Sequence, residues 1–119
     1  MNKIIITSAI VMFCISNSIA AKAGNINGPK LIADSVKANN TYFHDISFVG
    51  GALAKIEVKG YGTTNLNCAI LNSDNKEITI YNSDKGYCEF KLLPKQTSQY
   101  KLLIKNLGDN TNYFVIETN

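Results

Sequence analysis

The sequence contains no tryptophan and no arginine, and its 119 residues include one histidine, two prolines and three cysteines. Arginine is the side chain whose planar fork most often reads phosphates and base edges. All twelve basic residues are lysines and the net charge is only +3, so we expect no nucleic-acid partner. An apolar share of 45% over a chain of this length indicates one globular domain and excludes a disordered chain.

Recognisable catalytic patterns are also missing. The sequence has no phosphate-cradling glycine loop, serine elbow or zinc motif. His44 adjoins Asp45, but neighbouring residues of a strand point to opposite faces, so the two cannot form a catalytic dyad there. The acidic residues around the centre of the chain are Asp74, Glu77, Asp84 and Glu89. Nothing marks two of them as the paired carboxylates of a glycosidase, so we expect no enzyme activity and no cofactor.

The first twenty residues resemble a secretory signal peptide. Met1–Lys3 carries one positive charge, residues 4–15 are almost wholly apolar, and Ser18 and Ala20 form a small-x-small cleavage site. The apolar run is shorter than the roughly 20 residues of a transmembrane helix. We therefore expect cleavage after Ala20, export to the periplasm or medium, and no membrane anchor thereafter. An uncleaved anchor is the alternative.

The cysteine count changes with that cleavage, which would remove Cys14 and leave Cys68 and Cys88 in an oxidising compartment. Each of the two shares strand parity with apolar neighbours, so both side chains are predicted to point toward one core. We predict a Cys68–Cys88 disulfide with Cα atoms within about 7 Å of each other. The alternative is a reactive or metal-binding thiol pair, which no Cys-x-x-Cys motif supports.

Period-two alternation of apolar and polar residues dominates the rest of the chain and is typical of half-buried strands. Turns rich in Gly, Asn, Asp and Ser separate the alternating runs. The pattern predicts seven to eight strands in an antiparallel sandwich or barrel. The better-defined runs lie near residues 41–49, 52–59, 66–71, 77–81, 88–93, 100–105 and 113–117. In the run 77–81 the apolar positions are Ile78 and Ile80, and the run 113–117 is so apolar that both its faces are expected to be covered.

The N-terminal part of the mature chain is less regular. Residues 21–30 are predicted to form a loose lead-in, and residues 31–119 a single domain. Leu31–Val36 fits either a further strand or a short helix opening at Pro29, because proline favours the first helical position.

Four segments carry a resemblance to a known family. Phe48–Asn67 has a Phe-x-Gly-Gly opening, an alternating strand and a glycine-containing loop, and Cys88–Pro94 has a Cys-x-aromatic pattern before its proline. Thr97–Gly108 has a Thr-x-x-Tyr strand that ends in Asn-Leu-Gly, and Asn112–Asn119 completes the pattern. Over about residues 41–119 the chain resembles the bacterial pre-peptidase C-terminal domain in its stand-alone secreted form. The resemblance implies a jelly-roll-like β-sandwich with no catalytic residues of its own.

The chain departs from that family in one loop. Where the family pattern carries aspartates, this sequence has Tyr61, Thr63, Asn65 and Asn67. Calcium affinity follows the number of carboxylate ligands, so we expect no metal site, with Asn65 and Asn67 as weak candidates. The simpler interpretation is that these asparagines cap the turn by bonding to backbone amides.

Tyrosine and lysine are the residues that favour a binding role. Tyr61, Tyr81 and Tyr87 flank loops, where tyrosine makes adaptable contacts, and are the candidate partner-binding residues. The alternative is that tyrosine simply suits strands. Five lysines at solvent-facing positions could form one basic strip, or could protect strand edges from aggregation. They are Lys55, Lys59, Lys91, Lys101 and Lys105.

Taken together, these features favour an exported, monomeric, non-catalytic binding or accessory module that acts on a protein or a cell-surface polymer. A narrower alternative is an inhibitor or immunity protein that blocks a secreted enzyme. A third is a small secreted hydrolase that works through two carboxylates, which would require a concave pocket with paired acidic residues.

Overall fold

The computed structural model describes residues 24–62, 65–83 and 86–119, with residues 81–83 described through their backbone alone. The predicted signal peptide, residues 1–20, lies outside these ranges. Within them the chain forms eight strands. Their bounds are β1 Lys30–Val36, β2 Thr41–Phe48, β3 Ala54–Gly60, β4 Leu66–Leu71, β5 Glu77–Ser83, β6 Tyr87–Leu92, β7 Ser98–Asn106 and β8 Asn112–Thr118.

The strands form two four-stranded antiparallel sheets. Sheet I has the order β1-β8-β3-β6 and sheet II has the order β2-β7-β4-β5. Apart from the β4–β5 hairpin, each strand is followed by a strand of the other sheet, which is the connectivity of a jelly roll. The predicted antiparallel β-sandwich is therefore confirmed. In the described part of the chain there is no helix long and apolar enough to span a membrane.

The core lies between the sheets and follows the alternation of the sequence. Ala54, Ile56 and Val58 of β3 are fully buried and belong to the same core cluster as Leu102 and Ile104 of β7, in the other sheet. Successive strand residues point to opposite faces, so each strand contributes every second residue to this core. Burying one such aliphatic side chain stabilises the fold by about 1.5–3 kcal/mol.

A disulfide joins the two sheets. Cys68 lies on β4 of sheet II and Cys88 on β6 of sheet I, and their Cα atoms are 6.3 Å apart. Both side chains are buried, which confirms the predicted pairing and the parity argument behind it.

The N-terminal segment corrects one expectation and resolves another. Residues 24–29 are attached to the sandwich rather than loose. The Asn25 amide donates a 2.8 Å hydrogen bond to the Asn119 carbonyl, and its side chain donates to Thr118 Oγ1. Lys30–Val36 is a strand, because it pairs in register along the otherwise open edge of β8. These backbone pairings are long-range, so local sequence does not show them.

In two strands the apolar residues do not lie where the sequence pattern suggests. Ile78 and Ile80 are 45% and 53% exposed, because Ile80 pairs with Ala69, which itself faces away from the core. Tyr113 on β8 is 64% exposed, so the outer face of that strand is not covered. Alternation identifies two faces of a strand but does not say which one is buried.

Two buried asparagines lie at one end of the sandwich, where β1, β3, β5 and β7 end and β2, β4, β6 and β8 begin. The Asn106 side chain donates to the carbonyls of Val36 and Asn110. Asn112 accepts a hydrogen bond from the Gly62 amide. We call this end the loop end. Both asparagines are fully buried, so their bonds set the positions of loops that have little apolar packing of their own.

Candidate binding surface

The outer face of sheet I carries charged residues in ordered rows. Glu57 of β3 lies directly between Glu117 of β8 and Glu89 of β6. Lys55 and Lys59 lie two residues away on either side of Glu57, on the same face of β3. The glutamate row is therefore flanked along β3 by lysines, and these neighbours offset the repulsion between like charges placed directly opposite each other.

Tyr87 takes part in this charged surface. Its hydroxyl donates a 2.7 Å hydrogen bond to Glu57 Oε2, and the residue is only partly exposed. Tyr87 pairs with Lys59 across the β3–β6 ladder. The side chain therefore orders a carboxylate of the sheet, and its hydroxyl is already engaged in the free protein.

Nearer the loop end, the outer face of sheet I carries tyrosines and small residues instead of rows of charge. A depression of about 490 Å³ opens there, lined chiefly by side chains of three strands or their ends. These are Ala33 and Ser35 of β1, Val115 and Tyr113 of β8, and Tyr61, the first residue after β3. We call this feature the tyrosine depression. Tyr61 is 70% and Tyr113 64% exposed, which makes them the most exposed tyrosines of the described chain.

Backbone pairing brings the two tyrosines together. The Tyr61 amide donates a 2.7 Å hydrogen bond to the Tyr113 carbonyl, which extends the β3–β8 ladder by one residue. The next amide, that of Gly62, donates to Asn112 Oδ1 at 3.0 Å. A Cβ atom on Gly62 would lie 2.9 Å from Asn112 Cγ, so glycine is needed for this close approach. The loop is thereby held against β8 with Tyr61 beside Tyr113.

The three tyrosines that the sequence predicts as partner-binding residues do not share one surface. Tyr61 and Tyr87 lie on sheet I, whereas Tyr81 lies on β5 of sheet II, opposite Cys68, and its side chain is outside the described part. Tyr113 was not predicted, because its strand is so apolar that both faces are expected to be covered. Its pairing with Ser35 on β1 leaves it on the open face of the sheet.

The five lysines do not form one strip. Lys55, Lys59 and Lys91 lie on sheet I, and Lys101 and Lys105 lie on the opposite side of the sandwich, on sheet II. The Lys101 ammonium is 5.9 Å from the ring centroid of Phe43, within the range of a cation–π contact. Consecutive strands alternate between the sheets, so lysines that share an outward parity still separate onto two faces.

The weak metal candidates are placed apart from any carboxylate cluster. Asn65 precedes β4 and is exposed, and its backbone carbonyl accepts a hydrogen bond from the Leu107 amide. Asn67 pairs with Lys105, a cation, across the β4–β7 ladder. Within the described ranges, no group of three or more His, Cys, Asp or Glu side chains is close enough to hold a metal ion.

His44 lies in a polar seam between the edge strands β1 and β2. It is half-buried on the inner side of β2, opposite Leu102, whereas Asp45 is exposed on the other face. Burial lowers the pKa of His44, the Lys30 ammonium acts in the same direction, and Asp45 opposes both. Beside it, burial and the neighbouring Asp34 carboxylate raise the pKa of Tyr42.

Two further depressions among the described residues are smaller and are lined mainly by polar and charged residues. One of about 250 Å³ includes Glu57 and Glu117, which face each other on β3 and β8, together with Lys55. The other, of about 200 Å³, lies at the opposite end of the sandwich from the loop end and includes Asp45, Asn72 and Lys101. Neither combines exposed aromatic rings with an apolar floor, so the tyrosine depression is the stronger candidate for contact with a partner.

Comparison with known proteins identifies the fold. No family model and no curated protein sequence matches the chain. The structure is similar to the pre-peptidase C-terminal domain of a collagenase from Bacillus anthracis, with a TM-score of 0.61 and 9% identity over 76% of this chain and 88% of that one. It is also similar to the periplasmic inhibitor of g-type lysozyme from Aeromonas hydrophila, with a TM-score of 0.55 and 15% identity over 83% and 89% of the two chains.

A third similar structure is a mitogen derived from Yersinia pseudotuberculosis, with a TM-score of 0.54 and 12% identity over 77% of this chain and 85% of that one. The fold of the described residues is thus an eight-stranded jelly-roll β-sandwich. The resemblance drawn from the sequence motifs holds for the fold. At these identities the likeness carries no functional residue from one chain to another.

Proposed function

We propose that this protein is an exported, non-catalytic binding module that contacts its partner through the outer face of sheet I at the loop end. The observation that carries the proposal is the tyrosine depression. Exposed tyrosines supply large contact area at a low cost in conformational entropy, and they are enriched where proteins meet partners. The rest of the outer face of sheet I carries a row of three glutamates flanked by lysines, and these charged groups favour contact with water.

Export is part of the proposal. The basic start, the apolar run over residues 4–15 and the small residues at Ser18 and Ala20 support it. The Cys68–Cys88 disulfide gives independent support, because such bonds persist in oxidising compartments. From the motif resemblance and the shared fold we propose that the chain is related to the pre-peptidase C-terminal domain family in its stand-alone form.

The proposal is tested by comparing binding to native cell-envelope and culture fractions before and after the depression is altered. The mature protein should show saturable retention. A Tyr61→Ala/Tyr113→Ala double variant should lose most of it, because central aromatic residues carry most of the energy of such contacts. Phe43→Ala is the matched control, since Phe43 is 57% exposed on the opposite sheet. Equal retention by the wild type and the double variant would refute the proposed surface.

A second candidate is an inhibitor of a secreted enzyme. The similarity to a periplasmic lysozyme inhibitor favours it, although the likeness is one of fold. An inhibitor would use the same exposed tyrosines to cover an active site, so inhibition should need Tyr61 and Tyr113. Titrating the mature protein into lysozyme and protease assays distinguishes this function from simple adhesion, because adhesion leaves the rates unchanged.

A third candidate is a carboxylate-dependent hydrolase, favoured by the pair Glu57 and Glu117. Side chains directly opposite on neighbouring strands have Cβ atoms about 5 Å apart, which is compatible with the carboxylate spacing of retaining glycosidases. We rank it below the binding module because the pair lies on a sheet face among lysines, with little to exclude water. Hydrolysis of chromogenic glycosides by the wild type, abolished in Glu57→Gln, would reverse that ranking.

A further inference from the structure

The tyrosine depression has an apolar floor and a rim of hydroxyl groups. Ala33 and Val115 are directly opposite each other on β1 and β8 and supply the floor. Ser35 and Tyr113, the next opposing pair on the same face, and Tyr61 beyond the end of β3 supply hydroxyls. Aromatic rings add flat apolar area, while their phenol groups remain able to donate and accept hydrogen bonds.

The depression is almost free of charge. Among the described residues that line it, Asp34 is the one with a formal charge. It lies between Ala33 and Ser35 on β1, so its side chain points to the other face of the sheet, and its carboxylate accepts a 2.8 Å hydrogen bond from the Ser35 amide. Lys59 lies opposite Val115 on the neighbouring strand. Its positive charge is offset by Glu57, which lies two residues before it on the same face of β3. An anionic or cationic polymer would therefore meet no matching cluster of charge here, and a neutral ligand would lose little by desolvation.

The shape also limits the ligand. The depression is broad, at about 490 Å³, which is within the range of small-ligand sites. It opens on a sheet surface rather than inside a closed pocket, and its two tyrosine side chains are more than half exposed. The side chains that anchor protein partners generally fill enclosed, fully desolvated pockets. An open surface of this kind suits an extended ligand that lies across it.

We propose that the tyrosine depression binds a neutral glycan, with sugar rings packed on Tyr61 and Tyr113. A pyranose ring has an apolar C–H face and a periphery of hydroxyls, which matches the apolar floor and the hydroxyl rim. Ser35 and the two phenol groups would bond to the sugar hydroxyls, and Val115 would contact the C–H face. This inference rests on the proposed function, since it names the class of ligand that the same surface takes.

The test uses mature protein and soluble neutral tetrasaccharides of β-1,4-glucose, β-1,4-N-acetylglucosamine, α-1,4-glucose and β-1,4-mannose, with a tetragalacturonate as the acidic contrast. Affinity is measured by calorimetry, and the contact area by amide chemical shifts. We expect binding to at least one neutral sugar and shifts concentrated at residues 33–35, 61–62 and 113–115. Tyr61→Ala and Tyr113→Ala should each weaken binding about tenfold, as central aromatic contacts do.

Matched variants make the result specific. Tyr113→Phe keeps the ring and should retain more affinity than Tyr113→Ala, whereas Phe43→Ala should leave binding unchanged. All the substituted side chains are largely exposed, and thermal unfolding checks that each variant is folded. Absence of binding to every neutral sugar, preference for tetragalacturonate, or an equal loss in Phe43→Ala would overturn the glycan inference. If a protein partner instead binds through Tyr61 and Tyr113, the inference is wrong but the proposed binding surface stands.

Discussion

The Gly62 amide donates a 3.0 Å hydrogen bond to Oδ1 of Asn112, a fully buried side chain at the start of β8. This bond joins the loop that carries Tyr61 to the strand that carries Tyr113. The two exposed tyrosines thus depend on a residue that no ligand would touch.

We predict that Asn112→Ala destabilises the protein by about 1–3 kcal/mol, because the substitution leaves a partly buried backbone donor without its partner. Chemical denaturation of the variant and the wild type measures the difference. Asn110→Ala is the control, since Asn110 is exposed and its carbonyl, rather than its side chain, accepts the bond from Asn106. Similar losses in the two variants would show that the buried position has no special role.

The disulfide gives a second prediction. Replacing Cys68 and Cys88 together by alanine should lower the free energy of unfolding by about 3 kcal/mol, because the bond closes a loop of 20 residues in the unfolded chain. The oxidised protein should weigh two hydrogens less than the reduced one. Denaturation of the wild type with and without reductant provides the control, and it should reproduce the loss without any substitution. Equal stability in both conditions would contradict the prediction.

From the partial burial of His44 we predict that the stability of the protein depends on pH. Its folded pKa is lowered from 6.5, chiefly by burial, so the unfolded state binds more protons as the pH falls below about 6.5. The contribution of His44 to the free energy of unfolding is therefore fully present above its pKa in the unfolded state. It is lost as the pH falls through its lower pKa in the folded state. His44→Gln should flatten the stability profile between about pH 5 and 7 relative to the wild type.

A direct measurement accompanies that profile. The protein has one histidine, so its imidazole signals can be followed by NMR titration without ambiguity. They should give a pKa below 6.5, and Asp45→Asn should lower it further because that carboxylate favours the charged form. A titration at or above 6.5 in the wild type would mean that His44 is not in the half-buried position described.

The Gly50–Gly51 pair gives a fourth prediction. A Cβ atom on Gly50 would lie 2.6 Å from the backbone of Gln96 and Thr97, and Gly51 has a φ of 81° with open space around it. Gly51→Ala should cost about 1–2 kcal/mol through its left-handed backbone, and Gly51→Asn less. Gly50→Ala should cost more than either, because backbone atoms must move. Thermal unfolding of the three variants ranks them, and a harmless Gly50→Ala would contradict the close approach.

Most of the fold was predictable because it depends on a local pattern. Alternation in β3, β4 and β7 reports directly on burial, since one face of each strand meets the opposite sheet. The same parity correctly predicted that Cys68 and Cys88 would meet. In β5 the identical pattern predicts the wrong face: Ile78 and Ile80 alternate as a buried pair would, yet pairing of Ile80 with Ala69 turns them outward.

The candidate surface was less predictable than the fold. The sequence indicated Tyr61 through its place in a glycine-flanked loop, and this residue does line the tyrosine depression. It could not indicate Tyr113, which lies 52 positions further along the chain and meets Tyr61 only because β8 pairs with β3. Tyr87, predicted for the same reason as Tyr61, has its hydroxyl bonded to Glu57.

By itself, the sequence determined the strand class, the cysteine pairing and the absence of arginine and recognisable catalytic motifs, because these depend on composition and period-two parity. The tertiary structure alone decided which strands are neighbours, and therefore which outward residues share a surface. That is why five outward lysines separate onto two sheets while two distant tyrosines come together. Strand order is a matter of long-range pairing between backbones, and side-chain periodicity carries no record of it.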